Sequence, residues 1–173
     1  MTKQARRPKS QKRPSLQLAN YQRNVSINLT LFRRIILSVL RELADYAQLD
    51  LAIHLVSAAD IARLNETFLR HGGPTDVLAF DYRVEQASSL QSSPQASSLP
   101  SPTAEIFLCP DEAVRQARSF RTTWQTELTR YVIHGLLHLC GYDDSGSLAR
   151  RRMKREEDRL LRQISAKFDL TAL

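Results

Sequence analysis

Alternation of apolar and polar positions predicts two β-strands in the first third of the chain. Residues 25–29 (VSINL) and 49–55 (LDLAIHL) place an apolar side chain at every second position, as a half-buried strand does. Between them, residues 31–47 repeat leucine and isoleucine at helical spacing, with arginines on the opposite face. The pattern therefore predicts a strand, an amphipathic helix and a second strand in succession.

The middle of the chain continues the alternation of helix and strand. Ser57 with Asp60 is typical of a helix N-terminus, and the helix is predicted to run to about Leu69. Residues 75–82 and 104–109 are two further apolar runs of strand length. Pro110 suits the first turn of a helix that follows the last strand.

Two more helices are predicted in the last third of the chain. Thr122 with Gln125 resembles a capping box, and the helix behind it bears an apolar stripe formed by Leu128, Val132, Leu136 and Leu139. A final helix is predicted from about 147 to 166. Early strand–helix alternation followed by helices predicts a small α/β or α+β domain with a mixed four-stranded sheet.

Two segments lack any such pattern and set the predicted domain boundaries. Residues 1–22 are rich in Lys, Arg, Ser and Gln, and predict a disordered basic tail before one domain at 23–173. Residues 83–103 contain QASSL twice and predict a low-complexity insertion at the surface. The first 23 residues hold seven basic and no acidic side chains, equal to the net charge of +7, while the remainder balances. The tail is either a binder of a nucleic-acid phosphate backbone or a solubility segment without a specific partner.

Composition limits the classes of protein that remain. A hydrophobic content of 42% is enough for a core, and no apolar run approaches the roughly 18–20 residues of a membrane span. The N-terminus has no apolar stretch typical of a secretory signal. Cys109 and Cys140 are distant and form no CxxC pair, which favours reduced thiols. We therefore expect a cytoplasmic protein without membrane contact.

The segment HGLLHLCGYDD, residues 134–144, carries the strongest chemical signal. On a helix, His134 and His138 project from one face a turn apart and can bind one ion. Gly141 can end that helix in the left-handed region, so that the chain returns Asp144 toward the histidines. Two imidazoles and a carboxylate would leave one zinc position open for water. Glu127, two turns before His134, is either a partner of that imidazole or a solvated carboxylate, whereas His54 is expected to be structural.

Three ordered blocks of sequence resemble the YbeY family of bacterial endoribonucleases. Besides the histidine motif, LNETFLRHGGPTDVLAF (64–80) and AEIFLCPDEAVRQA (104–117) are similar to its conserved blocks. The resemblance implies an α+β fold with a four-stranded sheet, about five helices and a zincin-like metal-bearing helix. It also implies one Zn²⁺ per chain held at His134, His138 and Asp144.

The sequence departs from the family pattern at two places. Asp144 stands where the family usually has a third histidine, and carboxylate oxygen is also a zinc ligand. The family commonly has an arginine four residues after the Asn of its LN pair, where this chain has Leu69. The following Arg70 and His71 are our candidates for the missing catalytic role. Nickel or another divalent ion could occupy the same ligand set.

The resemblance implies a zinc-dependent endoribonuclease that cleaves single-stranded RNA. Its expected partners are small-subunit rRNA and the ribosome, in 16S rRNA 3′-end maturation and ribosome quality control, with no DNA substrate. The alternatives are a non-catalytic ribosome-associated RNA-binding factor with a structural metal, and another metal-dependent hydrolase. Peptide hydrolysis is disfavoured because Gly135 stands where HExxH proteases have their Glu. Basic residues at 150–155 either line an RNA groove or form a solvated face balanced by the acids at 156–158.

Overall fold

A computed structural model describes residues 15–43, 50–70, 72–83 and 103–173. Its centre is a four-stranded sheet in the order β1-β2-β4-β3. The strands are β1 (Leu16–Asn20), β2 (Leu51–Leu55), β3 (Val77–Asp81) and β4 (Ala104–Leu108). The β1–β2 and β2–β4 pairs are parallel, and β3 runs antiparallel to β4 at one edge. The predicted mixed four-stranded sheet is confirmed.

In the described ranges, five α-helices pack around this sheet, which confirms the predicted α+β class. They are α1 (Leu29–Glu42), α2 (Ala58–Leu69), α3 (Pro110–Phe120), α4 (Trp124–Leu139) and α5 (Ser147–Lys167), followed by a 3-10 turn at Leu170–Ala172. Local capping explains several of the boundaries. The side chains of Asn28, Ser57 and Thr123 accept backbone N–H groups at the starts of α1, α2 and α4. Thr123, rather than the predicted Thr122, is therefore the N-cap of α4.

One face of the sheet forms the main core. Ile53 of β2, together with Ile106 and Leu108 of β4, is fully buried and belongs to a cluster with apolar residues of α1, α4 and α5. Burying each such side chain stabilises the fold by roughly 1.5–3 kcal/mol. The opposite face carries a smaller cluster that packs under α2 around Ile61 and Leu78. Helix α4, which bears both motif histidines, is thus fixed against the sheet.

Two predictions near the N-terminus are wrong. The tail predicted at 1–22 contains β1 at Leu16–Asn20, because backbone pairing with β2 creates a strand whose sequence alternation is weak. The strand predicted at 25–29 is instead an irregular segment leading into α1. There the Gln22 side chain bonds both the N–H and the C=O of Val25, so neither group is left for a sheet partner.

Parts of three predicted segments lie outside the described residues. They are residues 1–14 of the tail, 84–102 of the insertion, and 44–49, which include the end of the first predicted helix. Among the helices of the described ranges, none combines the length and apolar character that crossing a membrane demands.

Candidate metal centre

Helix α4 places the two motif histidines side by side. The Nε2 atoms of His134 and His138 lie 3.1 Å apart, and both side chains are partly exposed at the border of the core. Two zinc–nitrogen bonds of about 2.0–2.1 Å that meet at a near-tetrahedral angle span roughly 3.3 Å. The separation of the two nitrogens therefore fits a single shared ion.

Hydrogen bonds at the opposite ring nitrogens determine which nitrogen of each imidazole is free. Nδ1 of His138 lies 3.1 Å from the carbonyl oxygen of Tyr142, and Nδ1 of His134 lies 3.2 Å from a carboxylate oxygen of Glu157. Both partners accept, so each Nδ1 carries the proton and donates it. The two Nε2 atoms then face each other at 3.1 Å, an arrangement that needs a proton or a metal ion shared between them.

A glycine turn brings the third ligand to the pair. Gly141 adopts a φ of 77°, and the Tyr142 N–H donates to the Leu137 carbonyl at 3.0 Å, which closes the C-terminus of α4. Beyond this turn, a carboxylate oxygen of Asp144 and one nitrogen of each histidine lie within 4.8 Å of one another. Asp144 is at least partly exposed, so solvent can reach the site. Two nitrogens and one oxygen with an accessible position are a suitable ligand set for zinc.

Glu157 of α5 is a contributor that the sequence interpretation missed. Its side chain is only 7% exposed, and Arg130 and Lys154 donate to the same Oε1 at 2.7 and 2.9 Å. Burial opposes ionisation, but hydrogen bonds from His134 and the two cations outweigh it and lower the pKa of Glu157 to about 2. The ionised carboxylate therefore fixes the tautomer and orientation of His134.

A sequence signal for Glu157 did exist. Glu157 shares the buried face of α5 with Met153, Leu160 and Ile164, at helical spacings of four, three and seven residues. A carboxylate inside an apolar stripe needs a partner. Glu127, the residue that the sequence suggested, is also buried but accepts from Thr122 Oγ1 at 2.6 Å. The carboxylate that contacts His134 is thus Glu157.

Of the two candidate catalytic residues, the structure describes only Arg70. Arg70 ends α2 in the left-handed conformation, with a φ of 55° and an exposed side chain, and its N–H donates to the Glu66 carbonyl. His71 lies outside the described residues. A catalytic role for Arg70 or His71 stays a prediction.

His54 lies away from this centre. Its ring stacks on Phe107 at 4.7 Å and on Tyr21 at 5.9 Å, on the sheet face opposite the main core, with Glu105 at 3.6 Å. A packed ring of this kind suits the structural role that the sequence favoured.

Gly135 explains why α4 can approach the sheet so closely. A Cβ atom at this position would lie 3.1 Å from Val77 Cγ2 and 3.2 Å from two methyl carbons of Ile106. Any longer side chain, including the glutamate of an HExxH protease, would meet the sheet here rather than the ligand cluster. The peptide-hydrolase alternative therefore lacks its general base for a steric reason.

Comparison with known proteins gives a consistent result. The model of the family "Endoribonuclease YbeY" matches residues 17–165. Curated proteins named endoribonuclease YbeY include that of Gloeobacter violaceus, 33% identical over 75% of this chain and 64% of its own length. The protein of Salinibacter ruber is 34% identical over 66% of this chain and 69% of its own length. The protein of Mycoplasma pneumoniae is 40% identical over 59% of this chain and 60% of its own length.

The matched part of this chain thus spans about two thirds of the length of these relatives. The solution structure of TM1509 from Thermotoga maritima has the same fold, with a TM-score of 0.57 and 24% identity over 88% of this chain and 90% of that one. A family match over most of the chain agrees with the ordered motifs and with the cluster that α4 and its glycine turn assemble. The chain belongs to the endoribonuclease YbeY family.

Proposed function

We propose that the protein is a metal-dependent endoribonuclease that cleaves single-stranded RNA at the centre formed by His134, His138 and Asp144. The observation that carries the proposal is the pair of Nε2 atoms 3.1 Å apart, with the Asp144 carboxylate in the same cluster. Family membership supports RNA as the substrate. We propose zinc as the ion, because two imidazoles and one carboxylate are typical of catalytic zinc.

Zinc bound at such a site supplies a water of lowered pKa and polarises a phosphoryl oxygen. The chain itself contributes orientation. Glu157 and the Tyr142 carbonyl hold the protons of both rings on Nδ1, so that the Nε2 atoms stay available as ligands. In the overall hydrolysis, one water adds across a P–O bond of the RNA, and the products are a phosphate end and a hydroxyl end. Arg70 or His71 is proposed to stabilise charge at the phosphorus.

We further propose a cytoplasmic role in maturation of the 3′ end of small-subunit rRNA and in ribosome quality control. Family membership supports this assignment. If it is right, depletion of the protein in its own cell should lead to small-subunit rRNA with an unprocessed 3′ end. Normal 3′ ends after depletion would contradict the maturation role without affecting the cleavage chemistry.

Cleavage is tested with purified protein that has been stripped of metal and reloaded with zinc. The substrates are a labelled single-stranded RNA, the same sequence as DNA, and the RNA duplex. We expect cleavage of the single-stranded RNA only, lost in His138→Ala and Asp144→Ala. Asp143→Ala is the matched control, since this carboxylate accepts from the backbone of Ser145 at 2.9 Å and lies outside the ligand set. Stoichiometric zinc without cleavage of any single-stranded RNA would contradict the proposal and favour a structural metal.

A further inference from the structure

Four arginines follow one face of helix α5. We call Arg152, Arg155, Arg159 and Arg162 the arginine stripe; the steps between them are three, four and three residues. At 3.6 residues per turn and 1.5 Å per residue, these steps keep the four side chains on one face over roughly 15 Å. All four line the same surface cavity together with Tyr142, Glu156 and Asp158.

The acidic residues of α5 pair with only one arginine of the stripe among the described residues. Glu157 turns inward to Arg130, Lys154 and His134. Asp158 also lies against Arg130, at 2.9 Å, and against Lys154, at 3.3 Å. Of the three neighbouring acids, Glu156 alone pairs with the stripe, through Arg159 Nε at 2.9 Å.

Three stripe arginines are consequently left with no acidic partner among the described residues: Arg152, Arg155 and Arg162, all exposed. Side chains three or four residues apart on a helix are neighbours, and like charges at these spacings destabilise the helix. A polyanion bound along the stripe would relieve this repulsion.

The arginine stripe begins beside the candidate metal centre. Tyr142 lines the stripe cavity, and its carbonyl oxygen accepts from Nδ1 of His138. Arg152 also lines an adjoining cavity with the glycine turn, including Gly141 and Asp143. A strand that leaves the ligand cluster over this turn would therefore meet the first arginine of the stripe.

We propose that the arginine stripe binds the phosphodiester backbone of the RNA strand on one side of the cleaved bond. The inference rests on the proposed function for the identity of the strand. A guanidinium donates to phosphate oxygens in a bidentate geometry, which suits arginine better than lysine for this contact. A length of roughly 15 Å allows the stripe to contact several successive phosphates of one strand. The stripe would thus set on which side of the cut a substrate needs additional nucleotides.

Binding is tested by fluorescence anisotropy with a labelled single-stranded RNA dodecamer over a range of salt concentrations. Each phosphate contact contributes about −0.7 to the slope of log K against log salt. The triple variant Arg152→Gln, Arg155→Gln, Arg162→Gln is expected to reduce the magnitude of the slope by about 2 and to weaken binding roughly tenfold or more. A triple variant of Arg23, Arg41 and Arg118 to Gln, all exposed, removes the same charge elsewhere and is the matched control.

Glu156→Gln provides a test in the opposite direction. This change releases Arg159 from its ion pair, so binding should tighten and the slope should steepen by about 0.7. The change keeps the size of a half-buried side chain, and circular dichroism serves as the check on folding. Unchanged or weaker binding in this variant would contradict the proposal.

The stripe proposal and the nuclease proposal can be contradicted separately. The slope difference between the two triple variants is measured with zinc-loaded and with chelator-treated protein, and it should appear in both. If the wild type cleaves no RNA but the difference stands, the nuclease proposal fails and the stripe proposal survives. Equal losses in the two triple variants would overturn the stripe proposal. So would stripe-dependent binding to phosphatidylserine vesicles without any stripe effect on RNA.

Cleavage kinetics give an independent measurement. The stripe variant should raise KM more for the dodecamer than for a dinucleotide, because only the longer strand reaches along α5. An equal change for both substrates would show that the stripe acts on the folding of the metal centre instead.

Discussion

Nδ1 of His134 lies 3.2 Å from Oε2 of Glu157, and this contact joins the helix with both candidate ligands to the C-terminal helix. The carboxylate keeps the His134 proton on Nδ1 and so leaves Nε2 free opposite His138. Because Glu157 also forms ion pairs with Arg130 and Lys154, its charge is balanced although the side chain is buried. The order of the metal centre therefore depends on packing between α4 and α5.

Glu157→Gln should weaken zinc binding about 10–100-fold, the usual effect of removing the partner of a ligand histidine. The amide cannot provide the negative charge that holds His134 and balances the two cations. Zinc affinity measured by competition with a chromogenic chelator checks this. Glu156→Gln is the control one residue away, because Glu156 pairs with Arg159 and lies outside the His134 contact. Equal affinities in wild type and Glu157→Gln would contradict the role assigned to this carboxylate.

Asp144→His should retain one zinc per chain, whereas Asp144→Ala should bind zinc substantially more weakly. Histidine restores a third ligand from the same turn, and three neutral imidazoles leave the bound water more acidic than a set containing a carboxylate. We therefore expect the RNA cleavage profile of Asp144→His to extend to lower pH than that of the wild type. Metal analysis and the pH dependence of cleavage are the measurements. Full zinc occupancy in Asp144→Ala would show that this residue is not a ligand.

Arg70→Ala and His71→Ala test the two catalytic candidates. If either side chain stabilises charge at the phosphorus, its loss should lower kcat by roughly a hundredfold with zinc content unchanged. Arg63→Ala is the control for Arg70, because Arg63 lies on the same helix, is exposed and pairs with Asp60. Full activity in both single variants would remove Arg70 and His71 from the proposed mechanism.

Gly135→Val should destabilise the fold by about 1–3 kcal/mol, because the added methyl groups overpack the contact between α4 and the sheet. The nearest atoms, on Val77 and Ile106, already lie 3.1–3.2 Å from the position of a Cβ. Denaturant unfolding monitored by circular dichroism measures the change. Gly72→Val is the control, since a Cβ there meets nothing within 4 Å. Equal stability of the two variants would contradict close packing at Gly135.

Cys109 should lower the free energy of unfolding as the pH rises through the alkaline range. Burial raises the pKa of its thiol from 9.0 to about 11. The unfolded chain therefore loses this proton first, so the contribution of the thiol to stability falls as pH rises from about 9 to about 11. Unfolding free energies at pH 8, 9 and 10 should decline more for the wild type than for Cys109→Ala. Cys140→Ala keeps Cys109 and should decline like the wild type; parallel curves for wild type and Cys109→Ala would refute the effect.

Local pattern was sufficient to predict most elements and the ligand set proposed for the metal. Helices α2 and α5 begin near the residues predicted from capping and periodicity, since helical hydrogen bonds connect residues only four positions apart. The spacing of His134 and His138, with a glycine turn before Asp144, is equally local. These features follow from the sequence because nearby residues along the chain determine them.

Only the tertiary structure determined the contacts between distant segments. β1 is a strand because β2 supplies its backbone hydrogen-bond partners. Residues 25–29 have the apolar spacing of a strand, but the Gln22 side chain occupies the backbone groups of Val25. Glu157 is the partner of His134 because α5 packs across α4. The same packing pairs Glu157 and Asp158 with Arg130 and Lys154, so neither acid forms an ion pair with the arginine stripe. Strand pairing and ion pairing act through space, so the positions of these groups depend on how the elements pack.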